Sequence, residues 1–302
     1  EGCNNFCTFC IIPWSRGLMR SRAPESVIRQ ARLLVDAGYK EIVLTGIHTG
    51  GYGEDLEDYS LARLLWDLDK VEGLKRVRIS SIEASQITDE VIEVLKASDK
   101  MCRHLHIPLQ AGDDTILKRM RRKYTAEQYA EKLASIREAM PGVAITSDII
   151  VGFPGETDEL FENGYRFIER MDFSELHVFP YSKRTGTPAA RMNDQVDEQV
   201  KHERVHALID LSEKQQLKYA KSNVGQVLDV IPERTRPGVL RSGEIAGYSD
   251  NYLHVIFEGS EELIGEMCKV RITEAGVNHC RGVLVSHSRD DLSGEREAIQ
   301  VV

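Results

Sequence analysis

Cys3, Cys7 and Cys10 fall inside "EGCNNFCTFCIIP" at spacing CxxxCxxC, so half of the chain's six cysteines share one short loop. Thiolates are soft donors that suit iron–sulfur clusters or zinc. A structural zinc site wants four ligands, usually two paired motifs about a dozen or more residues apart, and the next cysteine after Cys10 is Cys102. Three thiolates on a four-iron cluster leave one iron open, where a substrate or cofactor can chelate. The spacing points to the open cluster, with zinc and a metal-free loop as the alternatives.

Such a loop needs a scaffold. The 302 residues suffice for one sizeable domain and a small one. With 41% hydrophobic and 29% charged residues, a packed core is feasible and general disorder is excluded. No apolar run approaches a membrane span, and nothing at the start resembles a signal peptide. Clustered cysteines without a disulfide framework suggest a reducing, cytoplasmic setting. A net charge of −9 argues against indiscriminate coating of nucleic acid but leaves room for a local basic site.

Between Glu25 and Tyr181, five β-rich runs recur roughly every 30 residues, the size of a βα unit. They are "KEIVLTG" (Lys40–Gly46), "RVRISS" (Arg76–Ser81), "RHLHIPL" (Arg103–Leu109), "AITSDIIVG" (Ala144–Gly152) and "SELHVFPY" (Ser174–Tyr181). Amphipathic stretches fill the gaps. The clearest starts near Pro24 and stops at Gly38, and another starts on the capping residue Thr125. This α/β alternation implies a parallel sheet with helices outside, an open partial βα barrel of about six strands. The sixth strand is expected ahead of Cys3, because a metal-binding loop ordinarily follows one. The chain, which opens at Glu1, is therefore expected to be a fragment. A long helix is expected from about Asp194 to Ser222. Short strands with Gly-rich turns then read as a small OB-like β-barrel, giving domains 1–222 and 223–302.

The loop CxxxCxxC, with Phe9 as its aromatic, resembles the signature of radical S-adenosylmethionine (SAM) enzymes. "CIIPWSRGLMRSR", "EIVLTGIHTGGYGED", "SSIEASQITDEVI", "HLHIPLQAGDDTILKRMRRKYT", "SDIIVGFPGET" and "VFPYSKRTGTPAA" are similar to the methylthiotransferase family within that superfamily. They come closest to its branch acting on threonylcarbamoyl-adenosine in tRNA, and the resemblance runs along essentially the whole chain. The terminal strands resemble the family's RNA-binding TRAM module.

The resemblance implies that Cys3, Cys7 and Cys10 hold a [4Fe-4S] cluster and that SAM chelates its open iron. Phe9 would pack on the adenine and the turn at Gly46 would meet the SAM amino group. Glu83 would contact ribose hydroxyls or the ammonium, Gln110 would contact the ribose, and Arg122 would hold the carboxylate through its guanidinium fork. Ile150 and Gly152 would edge the adenine, although the strict pattern has glycine where this chain has Asp148. Lys118, Arg119, Arg121 and Lys123 are candidates for tRNA phosphates. The terminal barrel offers Arg234, Arg236, Arg241 and Arg271 as cations, with Tyr248 and Tyr252 as stackers. Tyr181, Lys183, Arg184 and Thr187 are expected at the mouth of the last core strand, some of them touching the substrate base or the missing domain. His104 and His106 share a strand face by the period of two. Cys102, Cys268 and Cys280 read as small buried hydrophobes.

The family also carries an N-terminal domain whose own three cysteines hold a second [4Fe-4S] cluster that delivers sulfur. The implied partners are the tRNA anticodon stem-loop, SAM, and an electron donor such as a flavodoxin or ferredoxin, with no membrane. Sister substrates, isopentenyl-adenosine in tRNA or an aspartate of a ribosomal protein, remain open. So does a different class, a non-catalytic RNA-binding protein with a zinc loop.

Overall fold

The computed structural model describes residues 1–235 and 240–288. After the short helix α1 (Ile12–Arg16), helices and strands alternate: α2 (Pro24–Asp36), β1 (Glu41–Leu44), α3 (Leu61–Asp69), β2 (Arg76–Ile79), α4 (Asp89–Ala97), β3 (His104–His106), α5 (Asp114–Arg119), α6 (Ala126–Ala139), β4 (Ala144–Val151), α7 (Asp158–Met171) and β5 (Glu175–Pro180). The 25-residue α8 (Glu198–Ser222) follows. Helix starts follow the polar residues that supply a side-chain acceptor to the first turn. Ser60, Thr88, Asp113, Thr157 and Asp197 cap α3, α4, α5, α7 and α8. Thr125 and Gln128 close a reciprocal capping box on α6.

All core pairings are parallel: β1 with β2, then β3 with β4 and β4 with β5. The two sheets meet where Val77 bridges to Met101. Among the described residues the outer edges of β1 and β5 have no strand partner, so the five strands form an open arc. Each of the five runs read from the sequence contains one of these strands.

The arc has two chemically distinct faces because side chains alternate along each strand. Val77, Ile79, Leu105, Ile145, Ile149 and Val151 turn outward and join the helices in one apolar core. The opposite face is polar: Arg76, Arg78, His104, His106, Thr146, Asp148 and His177. Thr146 Oγ1 lies 3.0 Å from His104 Nε2 and 2.9 Å from His106 Nδ1. Asp148, at the position where a glycine is the pattern, turns to His106 at 3.2 Å. His104 and His106 thus face the inside of the arc. Burial holds the His104 imidazole well below its ordinary pKa, hence neutral.

The terminal strands are β6 (Val227–Glu233), β7 (Glu244–Ser249), β8 (His254–Glu258), β9 (Cys268–Glu274) and β10 (Cys280–His287). They close into a barrel in the order β10-β8-β7-β6-β9, with its own core around Val230, Val255, Phe257 and Val270. Cys268 and Cys280 belong to that core, and Cys102 is buried in the larger domain, as expected.

The barrel docks on the polar face through two arginines that composition had not singled out. Arg76 donates to the carbonyls of Asp229 (2.8 Å) and Tyr248 (3.1 Å), Arg78 to those of Ser249 (2.9 Å) and Asp250 (3.1 Å). Glu41 on β1 accepts from both guanidinium groups. A buried triad like this costs desolvation and specifies geometry more than it adds net stability. Tyr252, at φ +66°, stacks between His104 (4.3 Å) and Tyr248 (4.8 Å), with Arg78 over its ring. Both its faces are occupied, which corrects its reading as a stacker for RNA.

A cysteine cleft at the carboxyl ends of the strands

The cysteine loop has no regular structure of its own and is fastened at several points to the core. Thr8, buried, donates from its backbone to Met120 (3.0 Å) and from its hydroxyl to Arg119 (2.8 Å), and its carbonyl accepts from Ala189 N (2.9 Å). The end of α5 and the segment after β5 therefore fix the loop between Cys7 and Cys10. Its start is fixed by Cys3 N donating to Gly17 O at 3.2 Å. Gly2 has φ +74° and a Cβ there would lie 2.0 Å from Leu18 O, so only glycine fits.

Cys3, Cys7 and Cys10 border one open cleft together with Phe9, Glu83, Gln110 and Arg122. Arg122 is the centre of its wall, its side chain 4% exposed. Nη1 donates to Cys7 Sγ (3.4 Å), Nε to Tyr124 Oη (3.0 Å), and Nη2 pairs with Glu83. Tyr124 donates in turn to the carbonyls of Pro108 and Leu109. Burial works against the charge, but Tyr124, Glu83 and Cys7 more than offset it, so Arg122 is held more firmly protonated than usual. Gln110 has φ +72°, a strained conformation for a non-glycine residue, held by bonds from its N–H to Asp148 O and from Ile150 N–H to its carbonyl (2.8 Å each). Phe9 packs edge-on against Phe153.

Burial pushes the Cys3 and Cys7 thiols up, in Cys7 against the pull of Arg122. Metal binding would therefore release protons. Among the described residues no three ligating side chains close on a single-ion site. The donors instead surround a space. His48 and Thr49 also border it, and their Nδ1 and Oγ1 atoms are buried without a hydrogen-bond partner beside the Gly51 and Gly46 backbone. Soft thiols on one side and unpaired polar groups with an arginine–glutamate pair on the other fit a cluster with a zwitterionic ligand on its open iron.

Other expected residues lie elsewhere. Gly46 borders a neighbouring slot along β1 and α2, and only the following Ile47, His48 and Thr49 reach the cysteine cleft. Ile150 sits one bond behind Gln110. Gly152 donates to Glu156 Oε1 (2.7 Å) and faces the Lys201 side chain. Lys118, Arg121 and Lys123 are exposed. Arg119 is not free for phosphate: it donates to Pro154 O and pairs with Asp194, bracing α5. Tyr181 and Thr187, which follow β5, are buried, while Lys183 and Arg184 are exposed. Arg234, Arg241 and Arg271 are exposed on the barrel, and Arg236 lies outside the described residues. Asn5, whose amide nitrogen lies 3.3 Å from His48 Nε2, borders the cleft as well, and sequence reasoning singles out neither it nor His48 and Thr49. A signal existed for the last two, since both stand in the glycine-rich turn after β1.

Residues 1–168 match the model of the radical SAM superfamily, and residues 221–285 match that of the TRAM domain. The chain is 62% identical to the threonylcarbamoyladenosine tRNA methylthiotransferase MtaB of Bacillus subtilis (strain 168), over 97% of this chain and 65% of that protein. It is 44% identical to the tRNA-2-methylthio-N(6)-dimethylallyladenosine synthase of Carboxydothermus hydrogenoformans, over 94% and 64%. The chain thus spans just under two thirds of these relatives' lengths. The fold is shared with the coproporphyrinogen III oxidase HemN of Escherichia coli, a radical SAM enzyme (TM-score 0.53, 15% identity, 89% of this chain and 64% of that one). It is also shared with the methyltransferase TsrM of Kitasatospora setae (TM-score 0.53, 17% identity, 63% and 34%).

Proposed function

The chain belongs to the radical SAM superfamily, whose members use a [4Fe-4S] cluster and SAM, and from that premise we propose that it is the catalytic core of a tRNA methylthiotransferase. Its substrate is threonylcarbamoyl-adenosine beside the anticodon, and carbon 2 of that adenine receives the methylthio group. Residues 1–222 are assigned to the radical SAM core and 223–302 to the RNA-binding module, whose described strands lie between Val227 and His287. The reaction belongs to the full-length protein, in which a further domain supplies the second cluster and the sulfur.

The observation that carries the reading is the convergence of Cys3, Cys7, Cys10, Glu83, Gln110 and Arg122 on one cleft at the carboxyl ends of the strands, where βα barrels place their chemistry. The three cysteines hold the cluster. When bound, cluster and SAM supply reductive cleavage of a sulfonium, fed by an electron from a flavodoxin or ferredoxin. Every other task falls to the protein. Arg122 neutralises the SAM carboxylate through donors already aligned by Glu83 and Tyr124. Gln110 and Glu83 meet ribose hydroxyls or the ammonium, His48 and Thr49 supply the remaining polar contacts, and Phe9 covers the adenine. Ile150 and Gly152, with Gly46, act from behind this wall by fixing the turns that carry it. Exposed Lys118, Arg121 and Lys123, beside the same cleft in sequence, meet the tRNA backbone.

The choice of substrate is supported by the 62% identity to MtaB against 44% to the dimethylallyladenosine enzyme. Deleting the gene tests it. Bulk tRNA should lose methylthio from threonylcarbamoyl-adenosine and keep it on dimethylallyl-adenosine, and the reverse pattern would refute the assignment.

A further inference from the structure

A second concavity, of about 270 Å³, opens between the core and the terminal barrel. From the core it is walled by Thr146, Ser174, Glu175 and His177, at the amino ends of β4 and β5, and from the barrel by Tyr248 and His254. It therefore lies at the opposite end of the strands from the cysteines. Thr146 and Val151 are five residues apart on β4, about 16 Å.

We propose that this cleft binds a single unstacked nucleobase of the RNA, one bearing an exocyclic amine and distinct from the base that reacts. The proposal rests on the reading of the chain as a tRNA-modifying enzyme, and deepens it.

Three features carry it. The ring column His104–Tyr252–Tyr248 runs from the core into the barrel, and its last ring, with His254 tilted 5.1 Å away, forms the cleft wall. A planar base continues such a column, which is how proteins hold unpaired nucleotides. Second, no lysine or arginine lines the cleft among the described residues, but Glu175 does. A carboxylate repels phosphate and accepts N–H bonds, so the base enters and the backbone stays outside. Adenine, cytosine and guanine offer an amine to Glu175, and uracil has none. Third, Gln216 and Asn278 beside it carry amides that can both donate and accept, and the Gln216 carbonyl already accepts from Asn278 N (3.0 Å). Burial keeps His254 neutral, so it contributes a face and not a charge.

Fluorescence anisotropy of the cluster-loaded chain with short oligomers of riboadenosine, ribocytidine and ribouridine tests this. The adenosine and cytidine oligomers should bind more tightly than the uridine oligomer. Tyr248→Leu and His254→Ala should each weaken them about ten-fold, Tyr248→Phe should not, and Glu175→Gln should erase the preference over uridine. SAM affinity should be unchanged throughout. If the variants bind all three oligomers as the wild type does, the cleft is only a packing void and the inference falls alone. If the wild type binds none of the three oligomers, the inference falls as well, whereas the tRNA reading stands or falls on the nucleosides of the deletion strain. Should circular dichroism show that Tyr248→Leu does not fold, Glu175→Gln and His254→Ala decide.

Discussion

Arg122 donates to Cys7 Sγ at 3.4 Å from one guanidinium nitrogen while another pairs with Glu83. A thiol of the metal loop and a carboxylate after β2 thus share one cation, itself fixed by Tyr124. All three guanidinium nitrogens are engaged, so a ligand carboxylate would share the fork with Glu83 and Cys7 through its remaining N–H donors. Arg122→Lys keeps the charge and loses the fork. The variant should load iron normally and bind SAM about ten-fold more weakly, a loss of about 1.4 kcal/mol, read by equilibrium dialysis.

The six cysteines should separate into two classes. Replacing Cys3, Cys7 or Cys10 by serine should abolish iron retention after anaerobic reconstitution. Cys102→Ala, Cys268→Ala and Cys280→Ala should retain it, since those thiols are buried away from the cleft. Iron and sulfide assays check this directly.

Glu41 links β1 to the barrel through Arg76 and Arg78. Burial alone would raise its pKa, but the two arginines outweigh burial and the net shift is downward. A depressed carboxylate contributes stability above its unfolded value, about 4.3, and loses it as pH falls through the lower folded value. Glu41→Gln leaves two buried cations uncompensated and should cost about 3 kcal/mol at neutral pH. Thermal unfolding against pH should show the wild type and Glu41→Gln converging only in acid, below about pH 4.

Gln110 occupies a left-handed backbone position at φ +72°. Gln110→Gly relieves that conformation, and stability should rise by at most about 1 kcal/mol, since glycine also loosens the unfolded chain. SAM affinity should fall in the same variant. Differential scanning calorimetry and a SAM binding isotherm together reveal the exchange of stability for function.

Much of this was legible in the sequence because it is local. Periodicity marks the five core strands, Gly-rich turns mark the short barrel strands, cap residues mark the helix starts, and cysteine spacing marks the candidate metal loop. What escaped depends on contacts between distant segments. Arg76 and Arg78 stand two apart in a strand, which places both on one face, yet their partners are carbonyls roughly 150 to 170 residues away. Arg119 reads as a solvent cation until Asp194 is brought beside it. Tyr252 reads as a stacker until folding fills both its faces with His104 and Tyr248.

Electron paramagnetic resonance of the reduced, anaerobically reconstituted chain, with and without SAM, is the most direct test. Three thiolates around an open iron predict about four irons per chain, a cluster signal that shifts on adding SAM, and a further change in Arg122→Lys. A colourless protein holding one zinc, or a signal that SAM leaves untouched, would contradict the account.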